Sequence, residues 1–465
     1  MAGIVIESPS FSADIEIDCL IIGGGAAGLT AALAVSQAGL SVLIAERQDR
    51  ISGSTALSSG LIPAADTNAQ RRQQLEDDTG QFFSDIMAKN NHQADPAHVW
   101  RCINGVRAAI NWLETDHDIP FHVLDSFLYP GHSHYRMHAV PEVTGKDLVR
   151  RLEHAASNQE IPISCNLKIT NLVVSDTGKL IGAQAERPDG RQETIAAKAI
   201  ILACNGYGGN RDLVAKYIPE MRDAIYFGHA GNQGEAVLWG QALGAEIAHL
   251  SGYQGHGSVA HPHGILITWA IMMEGGFQVN QLGKRFSNEH HGYSEQAVNV
   301  LSQPGQLAYN IFDARLTALG AEFEDFRNAE QAGAIIKADT IAELAEKIEI
   351  DGHNLANTFA ECNRLADTGE IDGFGRRFLA EKKLSPPFAA VKVTGTLFHT
   401  QGGLVINDHA QVLRTDGSII AGLYACGGAA CGVSGPDVSG YLSGNGLLTA
   451  LALGYLAGHH IAQDF

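Results

Sequence analysis

The stretch DCLIIGGGAAG, residues 18–28, constrains the fold of this chain more than any other. An apolar run of strand length enters Gly23-x-Gly25-x-x-Gly28 without a polar break, and residues 26–39 continue with helix-forming composition. A second apolar run, SVLIA at 41–45, ends at Glu46. Together they predict a strand–turn–helix–strand unit. Each glycine has its own reason to be there. The first permits a turn too tight for a side chain, the second lets backbone approach a pyrophosphate, and the third lets helix pack on strand. Phosphates are drawn to the positive end of that helix. A carboxylate at Glu46 accepts hydrogen bonds from ribose hydroxyls and repels a ribose phosphate, so the unit predicts a dinucleotide other than NADP. Alone, it leaves NAD and FAD open. The small hydroxyl residues and glycines of GSTALSSG, 53–60, suit a loop lying along a flavin and its diphosphate, which favours FAD.

The same texture returns twice. AKAIILAC at 197–204 precedes NGYGGN, and GLYA at 422–425 precedes CGGAACG and a long apolar helix from about Asn445. At 465 residues the chain exceeds what one core supports. The prediction is an α/β fold: one nucleotide-binding domain built from both ends of the chain (1–250 and 399–465), with a second domain inserted between them (251–398). Within the insert, Thr340-x-x-Glu343 is a capping box opening an amphipathic helix, and a further helix is expected from about Gly352 to Ala366.

Charge and cysteine usage narrow the partners. Lys and Arg number 32 against 51 Asp and Glu, a net charge of −19, which opposes nucleic acid and anionic membranes as partners. Seven cysteines without CxxC spacing read as reduced thiols in a cytoplasmic protein, neither a disulfide frame nor a zinc site. No apolar stretch has membrane-spanning length and the N-terminal residues carry no export signal. The histidines of GHSHYRMH, 131–138, and His256, His261 and His263 lack the cysteine or carboxylate companions of a metal site, so no metal is expected.

Taken together, the motifs resemble the flavoprotein family of fumarate reductase, succinate dehydrogenase and 3-ketosteroid Δ1-dehydrogenase, over nearly the whole chain. The marks are GGGAAG at 23–28, GST at 53–55, ILACNGYGGN at 201–210, GGFQVNQLGKRFSNE at 275–289, HTQGGLVIN at 399–407 and GLYACGG at 422–428. The resemblance implies a Rossmann-like FAD-binding domain made of 1–250 and 399–465, with 251–398 as an inserted α+β capping domain, and FAD held by Gly23, Gly25, Ala26, Ala27, Gly28, Glu46 and Arg47. It adds Ser54, Thr55, Ser59, Gly60, Leu61, Ala203, Asn205, Gly206 and Gly234, and from the C-terminal segment Gly428, Asn445, Leu447 and Leu448. Ser54 stands where members with covalent flavin have histidine, which implies non-covalent FAD. Fumarate reductases of the family have an arginine ahead of the glycine pair as proton donor, and another ahead of a GGNAL-like segment to hold the substrate carboxylate. The aligned positions here are Met272 and Tyr441. A thioether cannot donate a proton. Both departures point to the ketosteroid dehydrogenase or cyclic ketone desaturase branch.

Carried over from that branch, the activity is introduction of a double bond α,β to a carbonyl. The Tyr441 hydroxyl and the Asn445 N–H polarise the carbonyl. Tyr293 removes the α-proton, assisted by Tyr129 or, as the competing choice, Tyr135. The β-hydride leaves to flavin N5. His399, Arg136 and Tyr135 bind substrate, the first two able to hold a carboxylate. The expected substrate is a small-molecule cyclic ketone, either a 3-ketosteroid or a smaller oxocyclohexane derivative. Rival expectations are a fumarate reductase-like enzyme reducing an activated alkene and a flavin-bearing electron-transfer subunit. The sequence is silent on the electron acceptor and compatible with a homo-oligomer.

Overall fold

In the computed structural model, which describes residues 3–7 and 12–464, the apolar run before the glycines forms the strand Ile15–Ile22. It pairs in parallel with Val42–Ala45 on one side and with Gln192–Leu202 on the other. A strand covered on both faces needs an unbroken apolar run, and Cys19, Leu20, Ile21 and Ile22 are all buried. Gln192–Leu202 is long enough to take two partners along its far edge. Leu180–Glu186 runs antiparallel to its first half and Ile419–Ala425 parallel to its end. The C-terminal strand thereby joins the same sheet as the N-terminal one.

The helix Ala26–Gln37 packs on the closing helix Asn445–Asp464 through small residues. A Cβ on Gly454 would lie 2.4 Å from the Ala27 carbonyl oxygen, and one on Gly458 2.6 Å from that of Ala31. Bulk at either position would push the helices apart. These elements belong to the first of two compact units, Met1–Pro219, Gly228–Tyr253 and His399–Phe465.

The second unit comprises Glu220–Phe227 and Gln254–Phe398. Its sheet is organised on Phe388–Thr400, which pairs antiparallel with Leu307–Asp313 and Ile335–Ala338 and parallel with Ile225–Tyr226. That last pairing carries 220–227 into the second unit, whereas the sequence reading placed them in the first. Phe277, Ile311, Phe312, Phe326 and Leu344 share a separate core. Thr340 is the N-cap of the helix Ile341–Lys347, its Oγ1 accepting from the Glu343 N–H at 3.1 Å, but the return bond of the expected capping box is shifted by one residue: the Glu343 carboxylate accepts from the Asp339 N–H at 3.0 Å. The next helix, Gly352–Thr368, stops where Gly369 takes a left-handed φ of 68°. Among the described residues no helix is long and apolar enough to cross a membrane.

Candidate cofactor cradle and active site

The glycine turn of the first unit has the geometry a dinucleotide requires. Gly23 has a φ of +109°, and a Cβ there would meet the Ala203 carbonyl oxygen at 2.6 Å. A Cβ on Gly28 would overlap the Gly23 oxygen at 2.0 Å, so helix and strand touch only because position 28 is bare. At Gly25, by contrast, an added Cβ meets nothing closer than Thr55 Oγ1 at 3.5 Å. The helix cap there has no side chain of its own and no acidic residue in its first turn, which leaves an approach for phosphate.

Thr55 Oγ1 accepts from the Ala26 N–H at 3.1 Å and so ties the 53–57 segment to the same turn. That segment, expected as a loop, is a short helix, Gly53–Leu57. Ser54 Oγ accepts from Asn205 Nδ2 at 2.8 Å and Asn232 Nδ2 at 2.9 Å. Glu46 ends its strand buried, one oxygen taken by the Gly24 N–H at 3.0 Å and the other by the Gln48 N–H at 2.9 Å. These residues fit FAD.

The other residues expected at the cofactor have structural work as well. Arg47 is bound to Glu235 at 2.5 Å and to the Gly231 carbonyl at 2.9 Å. Gly234 caps the helix Glu235–Ala242 with a φ of 85°, where a Cβ would strike Leu213 and Tyr207. A Cβ on Gly60 would strike the Thr144 backbone, and one on Gly428 the Asn205 side chain at 2.1 Å. Gly206 is bare because Thr400 Oγ1 stands 2.0 Å from where its Cβ would be. Ser59 is exposed and Leu61 half-buried. Leu447 and Leu448 donate to Gly444 in the first turn of the closing helix.

The same unit gathers His399, Gln401, Ser434, Tyr441 and Asn445. Tyr441 is buried with its ring edge-on to His399, centroids 5.5 Å apart. Gln401 Nε2 lies 2.8 Å from His399 Nδ1, Ser434 Oγ donates to Gln401 Oε1 at 2.7 Å, and Asn445 Nδ2 donates to Ser434 Oγ at 2.9 Å. Burial lowers the His399 imidazole to about 4, so the ring is neutral at ordinary pH. Neither Gln401 nor Ser434 was found in the sequence. The only signal was the Gln inside HTQGG, a position with no chemistry of its own until the fold supplies its neighbours.

Three sequence expectations fail in this unit. The Asn445 N–H donates to the Leu442 carbonyl at 3.1 Å, so that amide is spent on a turn and is no oxyanion donor. Arg136 is buried with its guanidinium held by Asp77 at 2.9 Å and Asp85 at 2.9 Å and laid over the Phe82 ring. Its charge is already matched by two buried carboxylates, so it is held as part of the scaffold. Tyr129 sits edge-on to Phe127, and burial pushes its phenol up to about 12, the wrong direction for helping a proton leave. Tyr135 is exposed, in a surface depression with Leu128 and His134.

In the second unit Tyr293 opens the helix Tyr293–Leu301 after Gly292, whose φ is +140°. Its ring stacks on His256 at 4.8 Å, His256 stacks on Phe398 at 5.3 Å, and Phe398 on Phe227 at 5.1 Å. This aromatic row carries no charge, since burial pulls His256 down to about 3. Met272 is fully buried in the apolar core. The Asn-Glu of the family motif is structural: Glu289 is buried between Arg285 at 2.7 Å and Arg376 at 2.9 Å. The two guanidiniums hold its carboxyl at about 2 against the desolvation of burial.

The family model described as an FAD binding domain matches residues 18–447. A probable fumarate reductase of Shewanella frigidimarina is 29% identical over 446 residues, covering 96% of this chain and 74% of that one. Among solved structures, the open conformation of a flavocytochrome c3 fumarate reductase superposes with a TM-score of 0.82 at 28% identity, over 97% of this chain and 79% of that one. A 3-ketosteroid-Δ4-(5α)-dehydrogenase from Rhodococcus jostii superposes with a TM-score of 0.77 at 24% identity, over 99% and 100%, a likeness of fold.

Proposed function

This chain belongs to the FAD binding domain family, and from that premise we propose that it reduces a carbon–carbon double bond conjugated to an uncharged carbonyl on a ring-bearing substrate. It is an FAD-dependent oxidoreductase acting on CH–CH bonds. The reductive direction rests on the similarity to fumarate reductases, against the ketone desaturation that Met272 and Tyr441 favour.

The observation that carries the substrate class is the absence of a free guanidinium among the described site residues. Arg47 serves Glu235, Arg136 serves Asp77 and Asp85, and Arg285 and Arg376 serve Glu289. The two aligned arginine positions hold Met272 and Tyr441. A dicarboxylate such as fumarate needs such a grip; a ketone or ester carbonyl needs only neutral donors. Tyr441 and His399, both in the first unit, supply these, and the likeness of Tyr441 to the ketone desaturase branch favours a ring-bearing carbonyl compound.

When bound, FAD supplies the electron pair. Tyr441 and His399 hold the carbonyl oxygen and stabilise the negative charge that collects there. Ser54, standing where members of the family with covalent flavin have histidine, supports non-covalent attachment. A second reading, desaturation of a cyclic ketone, is favoured by Tyr441 and Tyr293. It uses the same groups in reverse.

Anaerobic mixing tests the proposal. Dithionite-reduced protein should be reoxidised by cyclic enones and not by fumarate. Reoxidation by fumarate alone would refute it. Bleaching of the oxidised protein by saturated cyclic ketones, with no reoxidation by enones, would establish the reverse reaction instead.

A further inference from the structure

We propose that Gln401 is a positioning residue that fixes His399 in the Nε2–H tautomer, through a one-way hydrogen-bond chain from Asn445 through Ser434. His399 thereby becomes a neutral donor to the substrate carbonyl oxygen. The tautomer stands on the geometry alone; what it donates to rests on the function proposed above.

The chain has four members and two conceivable polarities. In one, Asn445 Nδ2 donates to Ser434 Oγ (2.9 Å), the Ser434 hydroxyl donates to Gln401 Oε1 (2.7 Å), and Gln401 Nε2 donates to His399 Nδ1 (2.8 Å). Every link is short and each hydroxyl or amide is used in its proper sense. Nδ1 is then an acceptor, and the proton of a neutral imidazole must sit on Nε2. In the other polarity both amides are turned over, Ser434 donates to Asn445, and Nδ1 carries the proton.

Asn445 decides between them. It is fully buried, and its Oδ1 has no partner among the described residues. In the first polarity the unpartnered group is a carbonyl oxygen, an acceptor. In the second it is an amide N–H₂ group, and buried unpaired donors are the rarer and costlier of the two. The first polarity is therefore the stable one. The remaining acceptor open to an Nδ1 proton, the Thr400 carbonyl, is 3.4 Å away and too far to compete with a 2.8 Å bond.

Gly446 completes the arrangement. A Cβ there would lie 2.9 Å from Cε1 and 3.1 Å from Nε2 of His399, so only glycine leaves the donating edge of the ring uncovered. The low basicity of the buried imidazole keeps it neutral.

The test is nitrogen NMR of the FAD-loaded protein labelled in its histidine rings, with His399 assigned by the signal missing in His399→Gln. A protonated Nε2 and bare Nδ1 are expected; a protonated Nδ1 would overturn the proposal. Gln401→Glu should reverse the tautomer, because a carboxylate accepts from Nδ1–H, and raise the imidazole's basicity toward neutrality. With flavin content retained, kcat should fall about a hundredfold, the scale for losing one preorganised donor. KM should change little, and a new ionisation should enter the pH profile. Gln401→Met guards against a folding defect of the charged variant: it should also lower kcat, with a mixture of tautomers and no new ionisation. An unchanged tautomer and pH profile in Gln401→Glu would sink the idea. Failure of enones as substrates, with the Nε2–H tautomer intact, would strike the proposed reaction and leave the relay standing.

Discussion

Two buried polar networks in this molecule are built on opposite principles. In the second unit Glu289 is clamped by Arg285 and Arg376, accepts from the Gln278 N–H at 2.9 Å, and shares Arg285 with Asp372. In the first unit His399, Gln401, Ser434 and Asn445 are linked end to end with no formal charge. A charged cluster is stable only while every partner stays, because each member removed strands another charge in a medium that solvates it poorly. A neutral chain loses less when broken, but it has a direction, and direction is what proton chemistry uses. The contrast belongs to the networks and not to the units: Arg136 with Asp77 and Asp85 is of the charged kind and lies in the first.

Glu289→Gln is the harshest way to break the comparison. It leaves two buried guanidiniums facing an amide, and about 3–5 kcal/mol of stability should go, read from urea unfolding. A loss below about 1 kcal/mol would mean that the cluster is not architecture. The His399 tautomer should be untouched.

Acid separates the two kinds of network by where each begins to fail. His399, His256, His138 and His132 are all lowered by burial, to about 4, 3, 4 and 3. The folded state thus binds fewer protons than the unfolded one below the ordinary histidine value of about 6.5, and stability must fall with pH from there. Glu289, depressed to about 2, contributes stability that is intact above the ordinary carboxylate value of about 4.3 and is lost only below it. Neutral histidines should therefore weaken first. His256→Phe keeps the ring stack, gives up the Ser258 N–H bond at every pH, and should recover about 2–3 kcal/mol of the loss by pH 4. An unaltered slope of unfolding free energy between pH 6.5 and 4 would show that His256 titrates normally.

What the sequence made legible was local. Gly23, Gly25 and Gly28, the strand before them, Glu46 and the Thr340 N-cap are each specified within a few residues, and each appears where the pattern put it. What it hid was closure over distance. Arg136 looks like a substrate ligand until Asp77 and Asp85 fold around it, more than fifty residues earlier in the chain. The Asn445 N–H looks available until the turn at Leu442 takes it. Residues 220–227 carry no mark that says which sheet they join, because a two-residue strand has no periodicity to read. The relay is hardest of all, since Gln401, Ser434 and Asn445 are ordinary polar residues whose meaning is only their order in space.

Ser434→Ala is the gentlest probe and sharpens the comparison most. It removes one hydroxyl from the middle of the neutral chain and leaves Asn445 Nδ2 without its acceptor and Gln401 Oε1 without its donor. No charge is stranded, and a water of hydroxyl size can restore part of both bonds, so the cost should be about 1 kcal/mol in urea unfolding. The consequence for His399 is larger than the consequence for stability. Once Ser434 no longer holds its oxygen, the Gln401 amide is free to turn, and Nδ1 meets N–H₂ or C=O with comparable ease. The imidazole should then populate both tautomers, and turnover should fall in proportion to the fraction carrying its proton on Nδ1. A charged cluster cannot behave this way: in Glu289→Gln stability should drop far more than the His399 tautomer changes, and in Ser434→Ala the order should be reversed. Equal ratios of the two effects in both variants would erase the distinction between scaffold and relay.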